Sequence, residues 1–300
     1  MEAKVYRAIS KLIISLAHSP RGARRQFNDR WIIMVYLWSV INDRCVSWAC
    51  DQQNWPKDLL DCPLPSGPTM SRRLRTVGVL QLLERLLMLL TDACPVPIVK
   101  TIDSKPMLVG AYSKDRDAKR GRIARNQYAR GYRLHALCHG RAVRSWTIGS
   151  MNLHDSTIAP QLLDRLEGGG GYAVVDNAYD TNDCHRQAQR RDHQLVAPPR
   201  HQNREVRDAK YNCPARLRAL DLLASPMEKC GQPNQFGIQL YNLREASESC
   251  FGELSMRGLN YLPAWVRGPR RVAIWTAGKL ILHAQRCVKR QRVRCADAKG

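Results

Sequence analysis

Between residue 1 and about 92, apolar residues recur at helical spacing. Ile9, Leu12, Ile13 and Leu16 form one stripe, closed by Pro20-Arg21-Gly22. A second helix is predicted from Asp29 to Asn42 and a third from Val46 to Asn54. Proline and glycine then crowd Pro56 to Pro68, a stretch that breaks regular structure. Beyond it, Thr69 or Ser71 is placed to cap a helix carrying Leu80, Leu83, Leu87 and Leu90 on one face.

From Val96 the period changes. Ile98 to Asp103 is short, apolar and β-branched, the pattern of a buried strand. A charged loop from Lys114 to Arg130 precedes two strands, Tyr132 to Cys138 and Ala142 to Ser150, folded about Gly140. A helix from Asp155 to Leu166 leads through Gly168–Gly171 into a fourth strand ending at Asp176. The glycines precede a strand, whereas a phosphate loop follows one and opens a helix, so they read as a link. A helix over Thr181–Arg191, a fifth strand over Gln194–Ala197, and helices over Tyr241–Leu254 and Val272–Val288 complete the pattern. Three antiparallel strands followed by two crossover units predict an α/β fold with a mixed five-stranded sheet and flanking helices. The expected organisation is a helical region over 1–92, an α/β domain over 96–285 with a polar insertion at 200–238, and a mobile basic tail over 286–300.

Charge narrows the partner. Lys and Arg number 48 against 26 Asp and Glu, a net charge of +22, and the excess runs through every third of the chain. So basic a protein is expected to meet a polyanion, nucleic acid by default. The eleven cysteines are odd in number and show no CxxC pair, which argues for reduced thiols in a cytoplasmic protein rather than a disulfide framework or zinc ribbon. The longest apolar run, Trp31 to Ile41, is too short to span a bilayer, and no membrane role is expected.

Against that background three acidic residues stand out. Asp103 and Asp176 each end a buried-strand pattern, and Glu248 lies within a predicted helix at a nearly equal interval along the chain. A carboxylate where a strand emerges is fixed yet open to ligand. Two of them with a glutamate suit a pair of hard divalent cations, Mg²⁺ with Mn²⁺ as a substitute. The bland reading of each aspartate is a strand-end residue capping a turn. Tyr241, Arg244 and Glu248 share one face of a continuous helix, where Arg244 would hold a phosphate or orient a carboxylate. Glu245 and Glu253 read as solvated, Trp265 and Trp275 as core, and Asp155 or Ser156 as a helix cap. Ser71-Arg72-Arg73-Leu74-Arg75 opens a predicted helix, so Arg72, Arg73 and Arg75 face a DNA groove in a helix-turn-helix-like module, or form the solvated end of a helical cap.

Four segments resemble motifs of the DDE-type bacterial insertion-sequence transposases. Thr101-Ile102-Asp103-Ser104-Lys105-Pro106 is similar to their first-aspartate motif, and Asn152-Leu153-His154-Asp155-Ser156 to their NxHDS segment. Val174-Val175-Asp176-Asn177-Ala178-Tyr179-Asp180 is similar to the second-aspartate motif, and Tyr241-x-x-Arg244-x-x-x-Glu248 to the Tyr-x2-Arg-x3-Glu signature. The ordered set is specific; any single motif is not. The resemblance implies an RNase H-like core with Asp103, Asp176 and Glu248 as catalytic metal ligands, and places Tyr179 and Arg200 near the site. It implies a dimer or larger homo-oligomer acting on double-stranded DNA, cutting at terminal inverted repeats and joining strands to target DNA. Part of that family carries a lysine seven residues after the glutamate, where this chain has Ser255; Arg257 is the nearby substitute for contacting DNA. A catalytically inactive DNA-binding derivative and an RNase H-like nuclease without transposition are the competing readings.

Overall fold

The computed structural model describes residues 2–16, 26–60, 62–167, 169–200, 208–224 and 236–297. Pro20-Arg21-Gly22 and most of the polar 200–238 stretch lie outside them. The chain divides into two compact units: residues 1–94 with 257–259 and 263–300, and residues 95–256 with 260–262.

The helical unit contains α1 (Glu2–Ser15), α2 (Asp29–Ile41), α3 (Gly67–Arg73), α4 (Val77–Asp92) and α10 (Pro269–Asp297). In place of a third helix over 46–54 there are two single 3₁₀ turns, Trp48–Cys50 and Gln52–Asn54. Two indoles and a phenol hold this region together. Trp38 stacks on Trp55 at 5.1 Å, Tyr6 meets both edge-on, and Trp38 and Trp55 donate to the carbonyls of Asn54 and Ala49. Such aromatic contacts, with every N–H satisfied, stabilise beyond their buried area. The single helix expected to open at Ser71 is two. Ser66 caps α3, which ends with Arg72 and Arg73, and the chain turns at Thr76 before α4. The final basic segment is not a loose tail: α10 runs through it to Asp297.

The second unit is built on a six-stranded sheet. Its strands are β1 (Val99–Leu108), β2 (Lys119–Ala124), β3 (Gln127–His139), β4 (Ala142–Ser150), β5 (Gly171–Val174) and β6 (His193–Val196). The order is β2-β3-β1-β5-β6, with β4 also paired to β3. Leaving β2 aside, β4-β3-β1-β5-β6 is three antiparallel strands followed by two parallel ones, the order expected of an RNase H-like core. The sixth strand is the correction. β2 forms inside the stretch expected to be a charged loop, pairing with the first half of β3, where exposed arginines hide the strand period.

One sheet face packs Ile102, Leu137, Ala173, Val175 and Leu195 against α5 (Asp155–Leu163) and α6 (Asn182–Gln189). The opposite face sets Val174 and Val196 against Leu222, Leu223, Leu240 and Tyr241 of α7 (Pro214–Ala224) and α8 (Phe236–Asn242). α7, within the stretch expected to be an insertion, packs on the sheet. Alternation along a strand puts Asp103, Lys105 and Asp176 on the side of Val174, which is the α8 side.

Candidate functional site

β1 and β5 run parallel with Thr101 opposite Val174. Two residues further on come Asp103, midway along β1, and Asp176, two residues past the end of β5, and the charge of Asp176 is felt at Asp103. Asp103 is only 8% exposed. One of its oxygens accepts from the Ser104 N–H at 2.8 Å, and the other faces Arg244 Nη2 at 3.2 Å. Burial pushes its carboxyl up to about 6, and Arg244 offsets this only in part while Asp176 and Asp155 add to it. Asp176 is half-buried, and burial raises it as well. Asp176 Oδ1 accepts from the Ala178 N–H at 2.9 Å and caps the turn Asn177–Tyr179. The capping bond engages one carboxylate oxygen, Oδ1.

The helix expected over 241–254 is interrupted. α8 ends at Asn242 and α9 spans Glu245–Leu254, with tight turns at Leu243 and Arg244. Arg244 still lies four residues before Glu248, and its fork bridges two acids: Nη2 to Asp103 and Nη1 to Glu248 Oε1, both at 3.2 Å. Burial works against the guanidinium charge, but the surrounding acids outweigh it. Arg244 thus couples Glu248 to the aspartates, and the Glu248 side chain is 58% exposed. Among the described residues, no three acidic, histidine or cysteine side chains are gathered closely enough to hold a metal ion. Asp103 and Asp176 carry the hard oxygen donors that a divalent cation takes, and the exposed Glu248 carboxylate is engaged by Arg244.

Several neighbours make contacts that the sequence did not assign to them. Asp155 does not cap α5; the cap position is His154, with no side-chain bond. The Asp155 carboxylate turns instead to Arg133 at 3.2 Å and His135 at 3.4 Å, and its charge is felt at both aspartates. Burial lowers His135 to about 4, so it stays neutral there at neutral pH. The Tyr179 hydroxyl is buried without a hydrogen-bond partner, and Asp155, Asp103 and Asp176 all hold its proton on. Asp180 anchors the loop after β5: Arg216 of α7 grips both its oxygens at 2.8 and 2.6 Å, with His185 and the Arg200 N–H adding bonds. Those bonds outweigh burial and hold its carboxyl well below the usual range. A run of identical-looking acids gave no signal for this division of labour; the partners lie tens of residues away.

The remaining expected residues are placed as follows. Tyr241 packs half-buried on the sheet, and the Arg200 side chain is exposed. Arg257 sits at a kink with φ −110° in the segment that clusters with the helical unit. In that unit Arg73 is committed internally, to Asp29 and the Phe27 carbonyl, while Arg72 and Arg75 are exposed. Arg75 lines an apolar cavity of about 410 Å³ together with Arg44 and Arg271. Trp275 is buried, as expected of core, but Trp265 is 43% exposed.

A family model described as "Transposase DDE domain" matches residues 95–284. One solved structure similar to this chain is the piggyBac transposase synaptic complex with hairpin DNA, determined by cryo-EM. It has 10% sequence identity and a TM-score of 0.48 over 94% of this chain and 71% of that one. No curated protein matches.

Proposed function

The chain belongs to the transposase DDE-domain family, and from that premise we propose that it is an active DNA transposase using Asp103, Asp176 and Glu248. The observation that carries the reading is Arg244, which pairs with both Asp103 of β1 and Glu248, beside the parallel β1–β5 pair after which Asp176 follows. In this reading the three carboxylates hold two divalent ions of the Mg²⁺ or Mn²⁺ kind. Bound there, the ions would activate a water or a DNA 3′-hydroxyl and stabilise the leaving oxygen of an in-line displacement.

The chain's own residues do the rest. Asp103 and Asp176 would hold the ions, and through them the reacting phosphate, at a fixed place on the sheet. Arg244, released from Glu248 as that carboxylate turns inward, offers its fork to a phosphate oxygen. Asp155, held by Arg133, and the buried Tyr179 hydroxyl adjoin the two aspartates, and the like charge of Asp155 favours cations between them. Tyr241 and Arg200 line the DNA path, and the helical unit takes hold of the terminal repeats through Arg72, Arg75 and the basic rim of its cavity. Arg73 is left to its structural partners. The element's two ends and the target are double-stranded DNA, brought together by a homo-oligomer in the bacterial cytoplasm.

The test is nicking of a labelled duplex made from the DNA flanking the gene, with Mg²⁺. Cleavage at the element boundary that disappears in Asp176→Asn is expected. Binding without any cleavage would favour the inactive derivative, and cleavage indifferent to the end sequence a plain nuclease.

A further inference from the structure

Lys105 is 6% exposed, on β1 two residues beyond Asp103 and so on the same sheet face. Its ammonium donates to the Ser255 hydroxyl, which itself donates to the Phe251 carbonyl. An ammonium has three protons to place, and among the described residues no carboxylate pairs with this one. The other buried lysines are better served: Lys279 has Asp43, and Lys100 has the Gly170 carbonyl and the His193 ring. Buried charge is ordinarily paired, so Lys105 lacks a counter-charge.

Its position suggests which one. Ser255 follows Glu248 by seven residues, two turns along nearly the same helical face, and it is only half-buried. The sheet thus presents Asp176, Asp103 and Lys105 opposite Arg244, Glu248 and Ser255. We propose that Lys105 is a positioning residue that receives a DNA backbone phosphate next to the one being cut, the contact that Ser255 cannot make by itself. This rests on the reading of the protein as a DNA transposase. It replaces the expectation that Arg257 supplies this cation.

The test is fluorescence anisotropy with the full-length protein in EDTA, so that no metal contributes. The probe is a labelled duplex made from the DNA flanking the gene, titrated over a range of salt concentrations. Lys105→Met keeps the bulk and loses the charge. It is expected to weaken binding about tenfold and to reduce the slope of log affinity against log salt by about one. Lys105→Arg should keep the native slope. Should Lys105→Met fail to fold, the exchange Lys105→Ser with Ser255→Lys moves the ammonium to the other end of the same contact and is expected to restore slope and affinity. A folded Lys105→Met with the native slope, or an exchange variant with the reduced one, overturns the proposal. Nicking by the unaltered protein reads the functional proposal separately: binding without nicking sinks that reading and leaves the slope test standing, and absence of binding sinks both.

Discussion

Asp103 is kept in an unfavourable place. Its folded value of about 6 exceeds the ordinary aspartate value near 4, so between those pH values the folded chain binds the extra proton. Its contribution to stability is therefore full below about pH 4 and lost as pH rises through 6, by roughly 3 kcal/mol. In EDTA, Asp103→Asn is expected to melt higher than the native protein at pH 8, with the gap closing at pH 4; melting curves across pH check this. A gap of constant size would mean that burial does not strain this carboxyl. Arg244 carries the complementary prediction. Arg244→Lys keeps a charge but cannot reach Asp103 and Glu248 with one planar fork, so nicking is expected to fall roughly 100-fold while the fold is retained. Near-native rates in a nicking assay would remove Arg244 from the site.

At the scale of elements, alignment of the two aspartates depends on how β5 enters the sheet. Gly171 begins β5 with φ 124°, and a Cβ there would meet the Ile98 carbonyl oxygen at 2.2 Å. Only glycine adopts this backbone cheaply. Gly171→Ala is expected to cost about 2–3 kcal/mol in denaturant unfolding and to depress nicking more than an equally destabilising change in the helical unit. Asp180 fixes the chain on the other side of β5. Asp180→Ala leaves Arg216 and His185 facing a buried vacancy, for a loss of about 3–5 kcal/mol by the same measurement. These elements also mark how far the sequence was legible. The cores of β1, β3, β4, β5 and β6 were readable because buried strands leave continuous apolar runs, but β1 continues to Leu108, so Asp103 lies within the strand it was expected to end. β2 was not readable, because an edge-like strand rich in arginine carries no apolar period. The break between α8 and α9 was missed because local propensity continues through Asn242–Arg244 while tertiary contacts turn the chain. Asp155 and Asp180 differ from the site acids only through partners far away in sequence, which no local pattern encodes.

At the scale of the molecule, the +22 charge predicts an affinity for DNA dominated by released counter-ions. Binding to any duplex is expected to fall by about 10³ or more between 50 and 200 mM salt, and preference for the element ends to persist across that range. A salt-insensitive affinity would place recognition elsewhere than on phosphates. The central claim is more local: Asp103, Asp176 and Glu248, scattered along the chain, share bound cations. Replacing Mg²⁺ with Fe²⁺ and adding ascorbate and peroxide makes the bound ion cut nearby backbone, and mass spectrometry locates the cuts. Cuts clustered around residues 103, 176 and 248, and suppressed by excess Mg²⁺, are the predicted result; cuts near 103 and 176 that never extend to 248, or cuts that Mg²⁺ does not suppress, would contradict it.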